Sequence, residues 1–195
     1  MKTFKLFTVL FIATLFFNSC SKDDTIFTPT IPTFPQVIND EEVITTMEVT
    51  LTPTPNSMGA TVVTLKTQDL DGDGPNAPVV TVSGNLVNGV NYNGKIELLN
   101  ETESPAEDIT EEVEEESDEH QFFYTFAGGL DATTTYTNFD NNNDNLGTEF
   151  TLTTNSASTG TLTFTLRHEP TKPNTGLADA GGETDIAATF NVTIQ

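Results

Sequence analysis

The chain has 195 residues, of which 29 are acidic and only 7 are Lys or Arg, giving a formal net charge of −22. Such a charge repels phosphate backbones, so nucleic acid is excluded as a partner, while divalent cations and basic surfaces are favoured. The single cysteine, Cys20, cannot form an intramolecular disulfide, and a folded domain must therefore rest on its hydrophobic core.

Lys2 and Lys5 precede the apolar run LFTVLFIATLFF at residues 6–17. The run suits the core of a signal peptide spanning 1–19 and falls short of the roughly 20 residues that a bilayer-spanning helix needs. It ends at FNSC, which resembles a lipobox: cleavage before Cys20 would leave that sulfur to carry diacylglycerol. Phe17 and Asn18 depart from the commoner leucine and small residue. The next residues, SKDD at 21–24, resemble the export signal that sends lipoproteins of the Bacteroidota to the outer face of the outer membrane. The expected location is the outer membrane, lipid-anchored and facing the exterior, with the periplasmic face as the alternative. The membrane is then a partner through the anchor alone. Pro29, Pro32 and Pro35 recur at every third position and favour an extended tether over 20–40, with roughly 60 Å of reach at about 3.1 Å per residue.

From residue 41 to 195 the pattern is that of one domain. Period-two alternation rich in Thr, Val and Phe predicts nine strands at about 43–52, 61–68, 79–83, 90–99, 121–127, 133–139, 148–154, 160–168 and 185–194. The expected fold is all-β, an immunoglobulin-like antiparallel β-sandwich of about 7–9 strands with one short acidic surface helix. The helix is expected over 105–118, where Ser104, Pro105 and Glu107 read as a capping box and Ala106, Ile109 and Val113 as its apolar stripe. Loops after even-numbered strands, at 69–78, 100–120, 140–147 and 169–184, would share one end of the sandwich.

Two of those loops carry candidate metal ligands. In QDLDGDGPNAP, Asp69, Asp71 and Asp73 alternate before Gly74, and Pro75 offers a carbonyl, which matches positions 1, 3, 5 and 7 of an EF-type calcium loop. Val80 stands at position 12, where a bidentate glutamate belongs. Ca2+ is thus the one cofactor to consider, held weakly unless the second loop adds oxygens. That loop, FDNNNDNLG, places Asp140, Asn142 and Asp144 at alternate positions. The competing reading of both is a polar turn. Arg167, His168 and Lys172 are expected to pair with the acidic helix.

Enzymatic machinery is absent from the pattern. There is no G-x-S-x-G elbow, His120 and His168 show no local metal-ligand spacing, and the only thiol is the anchor. No catalytic residue is assigned, and the chain is read as a non-enzyme.

Several stretches together resemble a group of small flavobacterial surface lipoproteins of unknown function. They are SCSKDD, VITTMEVTLTPT, LDGDG, LLNETESPAEDITEEVEEESDEHQFFYTF and GGETDIAATFNVTIQ. Some members carry the label "type 1 periplasmic binding fold superfamily protein", a two-lobed α/β fold that needs a longer chain and contradicts the strand pattern. The chain as a whole is read as a surface-anchored, non-enzymatic binding or accessory module, serving an outer-membrane protein such as a transporter. A structural or adhesion module without a small-molecule ligand is the alternative.

Overall fold

A computed structural model describes residues 42–72 and 74–195. The signal peptide, Cys20, the proline tether and Asp73 lie outside the described residues. In chain order the elements are β1 (Thr46–Pro53), β2 (Val63–Gln68), β3 (Val79–Val82), β4 (Asn91–Asn100), β5 (Glu107–Asp108), α1 (Ile109–Glu115), β6 (His120–Ala127), β7 (Ala132–Tyr136), β8 (Glu149–Thr154), β9 (Ser158–His168), α2 (Leu177–Ala180) and β10 (Glu183–Ile194). The nine expected strands are all present, within a few residues of their expected bounds, and the two-residue β5 is added.

The result is an antiparallel β-sandwich. One sheet runs β3-β2-β1-β4-β8-β7 with β5 against the end of β4, and the other runs β10-β9-β6. The alternation in β4 shows why these residues form strands: Tyr92, Gly94, Ile96 and Leu98 point inward, with Asn91, Asn93, Lys95 and Glu97 outward. Gly94 belongs to the inward set because Phe150, its cross-strand partner on β8, lies over it. A Cβ there would come within 2.3–2.6 Å of three ring atoms. The ring continues a line of aromatics through the core, from Tyr124 to Phe150, Phe164 and Phe190, with successive centroids 4.6–5.9 Å apart. This line ties β8 of one sheet to β6, β9 and β10 of the other. Leu86, in the connection between β3 and β4, exchanges backbone hydrogen bonds with Thr193 and Gln195, which closes the sandwich along β10.

β3 is the edge of its sheet, and Val79 and Val80 are 62% and 47% exposed. One expectation fails locally. The helix is shorter than expected and opens later. Glu107 and Asp108 pair with Asn100 and Leu99 of β4, so Glu107, expected inside the helix, is still in a strand, and Ser104 and Pro105 lie in bends before it. The N-cap is Asp108, whose carboxylate accepts from the N–H of Thr110 at 3.0 Å. Thr110 in turn receives the N–H of Leu98 on its hydroxyl, docking the first helical turn on β4. Ile109 and Val113 are buried as expected, but Ala106 is exposed.

The registers place the loops after β2, β4, β7 and β9 at one end. Thr46 stands opposite both Gln68 and Leu99, and the N–H of Ile96 bonds the carbonyl of Thr148. The second sheet is joined to that end through the Phe122 N–H and the Leu146 carbonyl.

Candidate functional site

The polar groups that come together at this end were not adjacent in sequence. His120 opens β6 and His168 closes β9, and the antiparallel register sets them directly opposite each other. Their rings stack with centroids 4.9 Å apart and planes 16° from parallel. Next to them, β10 pairs Thr184 with Arg167 and Ile186 with Leu166, so Asp185 is the extra residue of a β-bulge. A bulge interrupts the two-residue alternation and re-aims a side chain. Here it leaves the Asp185 carboxylate fully buried, with Oδ2 3.8 Å from His120 Nε2 and Oδ1 3.9 Å from His168 Nδ1. Glu42, just before β1, supplies the fourth group: its Oε1 lies 3.1 Å from His120 Nε2.

One donor atom from each of Glu42, His120, His168 and Asp185 can be chosen so that all lie within 4.8 Å of one another. The side chains are 0–8% exposed, so the cluster sits out of bulk water. Gly182 makes this approach of strands feasible. Its φ is +70°, and a Cβ would stand 2.2 Å from the His168 carbonyl oxygen, so a side chain there would push β10 away from the site.

The electrostatics follow from that geometry. Burial works to neutralise His120, but the Glu42 carboxylate, aided by the Glu116 carbonyl and Asp185, outweighs it and raises the pKa above the ordinary histidine value. Burial likewise opposes ionisation of Glu42, and His120 draws it below the ordinary carboxylate value. On the flank, burial and then the carboxylates of Glu107, Glu42, Glu116 and Glu115 raise Glu112. The neighbourhood is thus rich in negative charge that a cation would relieve.

A second polar assembly braces the loops beside it. Lys172 donates to the Ser117 carbonyl at 2.7 Å and to Asp140 Oδ2 at 3.1 Å. Asp140 Oδ1 accepts from the N–H groups of Asn142 and Asp144 at 2.9 and 2.8 Å. Gln121 and Asn174 exchange amide hydrogen bonds, and the Glu169 N–H reaches the Glu119 carbonyl. The expected pairing of the basic residues with the acidic segment is met at His168, whose Nε2 lies 3.9 Å from Glu119, and is corrected at the other two. Lys172 pairs with Asp140, His168 faces Asp185 and Glu119, and Arg167 donates to the Gly182 carbonyl.

The expected calcium ligands are placed as follows. Asp69 is half-buried and its carboxylate accepts from the Asp71 N–H; Asp71 is exposed and accepts from the backbone and side chain of Asn76. Pro75 is exposed and Asp73 lies outside the described residues. In the other loop Asn142 is exposed and Asp144 half-buried, while both oxygens of Asp140 are already engaged. The two loops are not brought together: β2 and β7 are four positions apart in the sheet, about 19 Å at the usual strand spacing.

Sequence reasoning missed the histidine cluster because His120 and His168 are not linked by any local motif. The signal that could have found it lies in the strand runs themselves. His120 precedes the alternating QFFYTF and His168 follows the alternating LTFTL, so pairing those two runs antiparallel puts the histidines opposite each other. Asp185 had no such signal, since its inward position depends on the bulge.

No family model matches this chain, and comparison with curated proteins and with solved structures gives no match either.

Proposed function

We propose that this chain is a lipid-anchored protein of the outer membrane, facing the cell exterior, whose β-sandwich is a non-enzymatic binding or accessory module for an outer-membrane protein such as a transporter. The anchoring half rests on the apolar run, the lone Cys20 and the acidic residues that follow it. The observation that carries the binding half is the braced loop end. Three loops that would otherwise be independent are held together by Lys172, Asp140, Ser117, Gln121 and Asn174. Holding loops in a fixed arrangement lowers the entropy lost when a partner docks on them. At the opposite end, the connection 54–62 is mostly exposed, with Met58 92% exposed. β1 starts at the braced end.

The test has two arms. Cys20→Ala should move the protein to the soluble fraction and abolish labelling by a fatty-acid analogue; unchanged membrane fractionation would overturn the anchor. A photo-crosslinking residue at Asn143, on the braced end, should then capture a defined outer-membrane protein in cells, whereas the same residue at Met58, on the far end, should not. Equal capture from both positions would overturn the assignment of the binding face.

A further inference from the structure

We propose that Glu42, His120, His168 and Asp185 form a binding site for one divalent transition-metal ion, of the zinc class, that clasps the point where the chain enters the sandwich. The site shares no residue with the aspartate loop and does not depend on the anchor.

The tautomer of His120 is fixed by its surroundings. Its Nδ1 lies 3.2 Å from the Glu116 carbonyl oxygen, which can only accept, so Nδ1 carries a proton. In the neutral ring this leaves a lone pair on Nε2. That lone pair points into a space shared with two carboxylates, Glu42 at 3.1 Å and Asp185 at 3.8 Å. Lone pairs and carboxylates facing each other out of water repel unless a cation stands between them. A proton on Nε2 is one such cation, but the short approach to Glu42 is not aligned as a hydrogen bond, and Glu42 Oε2 is buried without a hydrogen-bond partner among the described residues. A metal ion answers both observations, because it accepts donors arranged around a centre and not along one N–H direction.

The donor set fits. Two imidazoles and two carboxylates are ligands that Zn2+ takes readily, and a histidine held through its other nitrogen by a carbonyl is the usual outer arrangement of such sites. In a tetrahedral site with bonds of about 2.0–2.1 Å, neighbouring ligand atoms stand about 3.3–3.4 Å apart. The contacts of 3.1, 3.8 and 3.9 Å, the last two made by different oxygens of Asp185, lie on either side of that spacing, and one donor atom from each of the four groups lies within 4.8 Å of the others. Two carboxylates and two neutral imidazoles also carry the −2 charge that a divalent ion neutralises. The consequence is structural. A bound ion would join Glu42 to β6, β9 and β10, and so fix the start of β1 to the far sheet.

The experiment is a titration of Co2+ and Zn2+ into the full chain in detergent, carrying Cys20→Ser so that the thiol cannot contribute. One Co2+ per chain should bind with visible ligand-field bands, be displaced by Zn2+, and be indifferent to excess Mg2+. His120→Gln and His168→Gln should each weaken binding by more than about 100-fold, since even outer-shell changes cost 10–100-fold. Glu42→Gln sits outside the strands, leaves their pairing intact, replaces a carboxylate ligand by a neutral amide oxygen, and should weaken binding by more than about tenfold while keeping the circular-dichroism spectrum. Asp71→Ala, on the exposed loop, should change nothing. Cobalt binding that survives both histidine substitutions, or that Mg2+ displaces, would place the ion on the acidic surface and overturn the site. So would the absence of saturable cobalt binding to a folded wild-type chain.

Discussion

The aspartate loop after β2 and the histidine cluster between β6, β9 and β10 contain similar chemistry in opposite settings. The loop draws Asp69, Asp71 and Asn76 from eight consecutive residues, is mostly exposed, and bonds chiefly to itself. The cluster draws four residues from positions 42, 120, 168 and 185 and buries all four side chains. In the loop, water can satisfy any donor that lacks a partner, so spare carboxylates cost little. In the cluster every charge must be answered from within, which makes the arrangement informative. A regular pattern in sequence thus marked a region where spare carboxylates cost little, while the irregular one gathers groups whose burial is costly unless they are answered.

The largest way to break the contrast is to remove the support of the cluster without touching it. Phe190 is fully buried on β10, in the same strand as Asp185, and its ring meets Phe164 edge-on at 5.9 Å. Phe190→Ala should destabilise the domain by about 3–5 kcal/mol, as read from denaturant unfolding. A midpoint equal to wild type would mean that β10 is not held by the core.

A smaller effect is expected at the brace. The pKa of Asp140 is held below the ordinary carboxylate value: burial pushes it up, but the N–H of Asp144, the Lys172 ammonium and the N–H of Asn142 outweigh that. A carboxylate depressed on folding stabilises above its unfolded pKa, near 3.9, and that stability disappears as the pH falls through the folded value. Asp140→Asn should cost about 1.5–3 kcal/mol at pH 7, the usual range for a hydrogen bond to a charged group. The difference between wild type and variant should shrink as the pH falls below about 4. A difference that stays constant down to pH 2 would mean that the charge of Asp140 is not what holds the loops.

The smallest effect belongs to the aspartate loop. With no divalent ion present, Asp71→Ala should change unfolding free energy by no more than about 0.5 kcal/mol, as for most surface substitutions. Comparing melting temperatures in calcium and in magnesium at equal ionic strength sharpens the contrast, because screening alone treats the two ions alike. Equal responses mark the loop as a turn. A rise specific to calcium that Asp71→Ala removes would give it a metal role of its own.

Strand positions were legible in the sequence because each strand packs one face, so its inward residues recur with period two and need no knowledge of the rest of the fold. Met47, Val49 and Leu51, or Leu162, Phe164 and Leu166, announce themselves in this way. Residues at the margins did not. Val80 has the composition of an inward residue, but whether it is covered depends on which strand is the edge of the sheet. Ser104, Pro105 and Glu107 have the local chemistry of a helix start, yet Glu107 and Asp108 pair with β4 and the helix opens only at Ile109.

The sequence by itself therefore determined the all-β character, the strand segments and the end at which long loops gather, since these follow from local alternation and turn chemistry. Only the tertiary structure decided that His120 faces His168, because that requires the register of β6 on β9. Only it decided that Asp185 turns inward, because that requires a bulge on β10. And only it brought Glu42 to them, because the start of β1 meets the second sheet through folding of the whole domain. Register, bulge and sheet-to-sheet approach are set by sums of many weak contacts between distant residues, and no short stretch of chain encodes them.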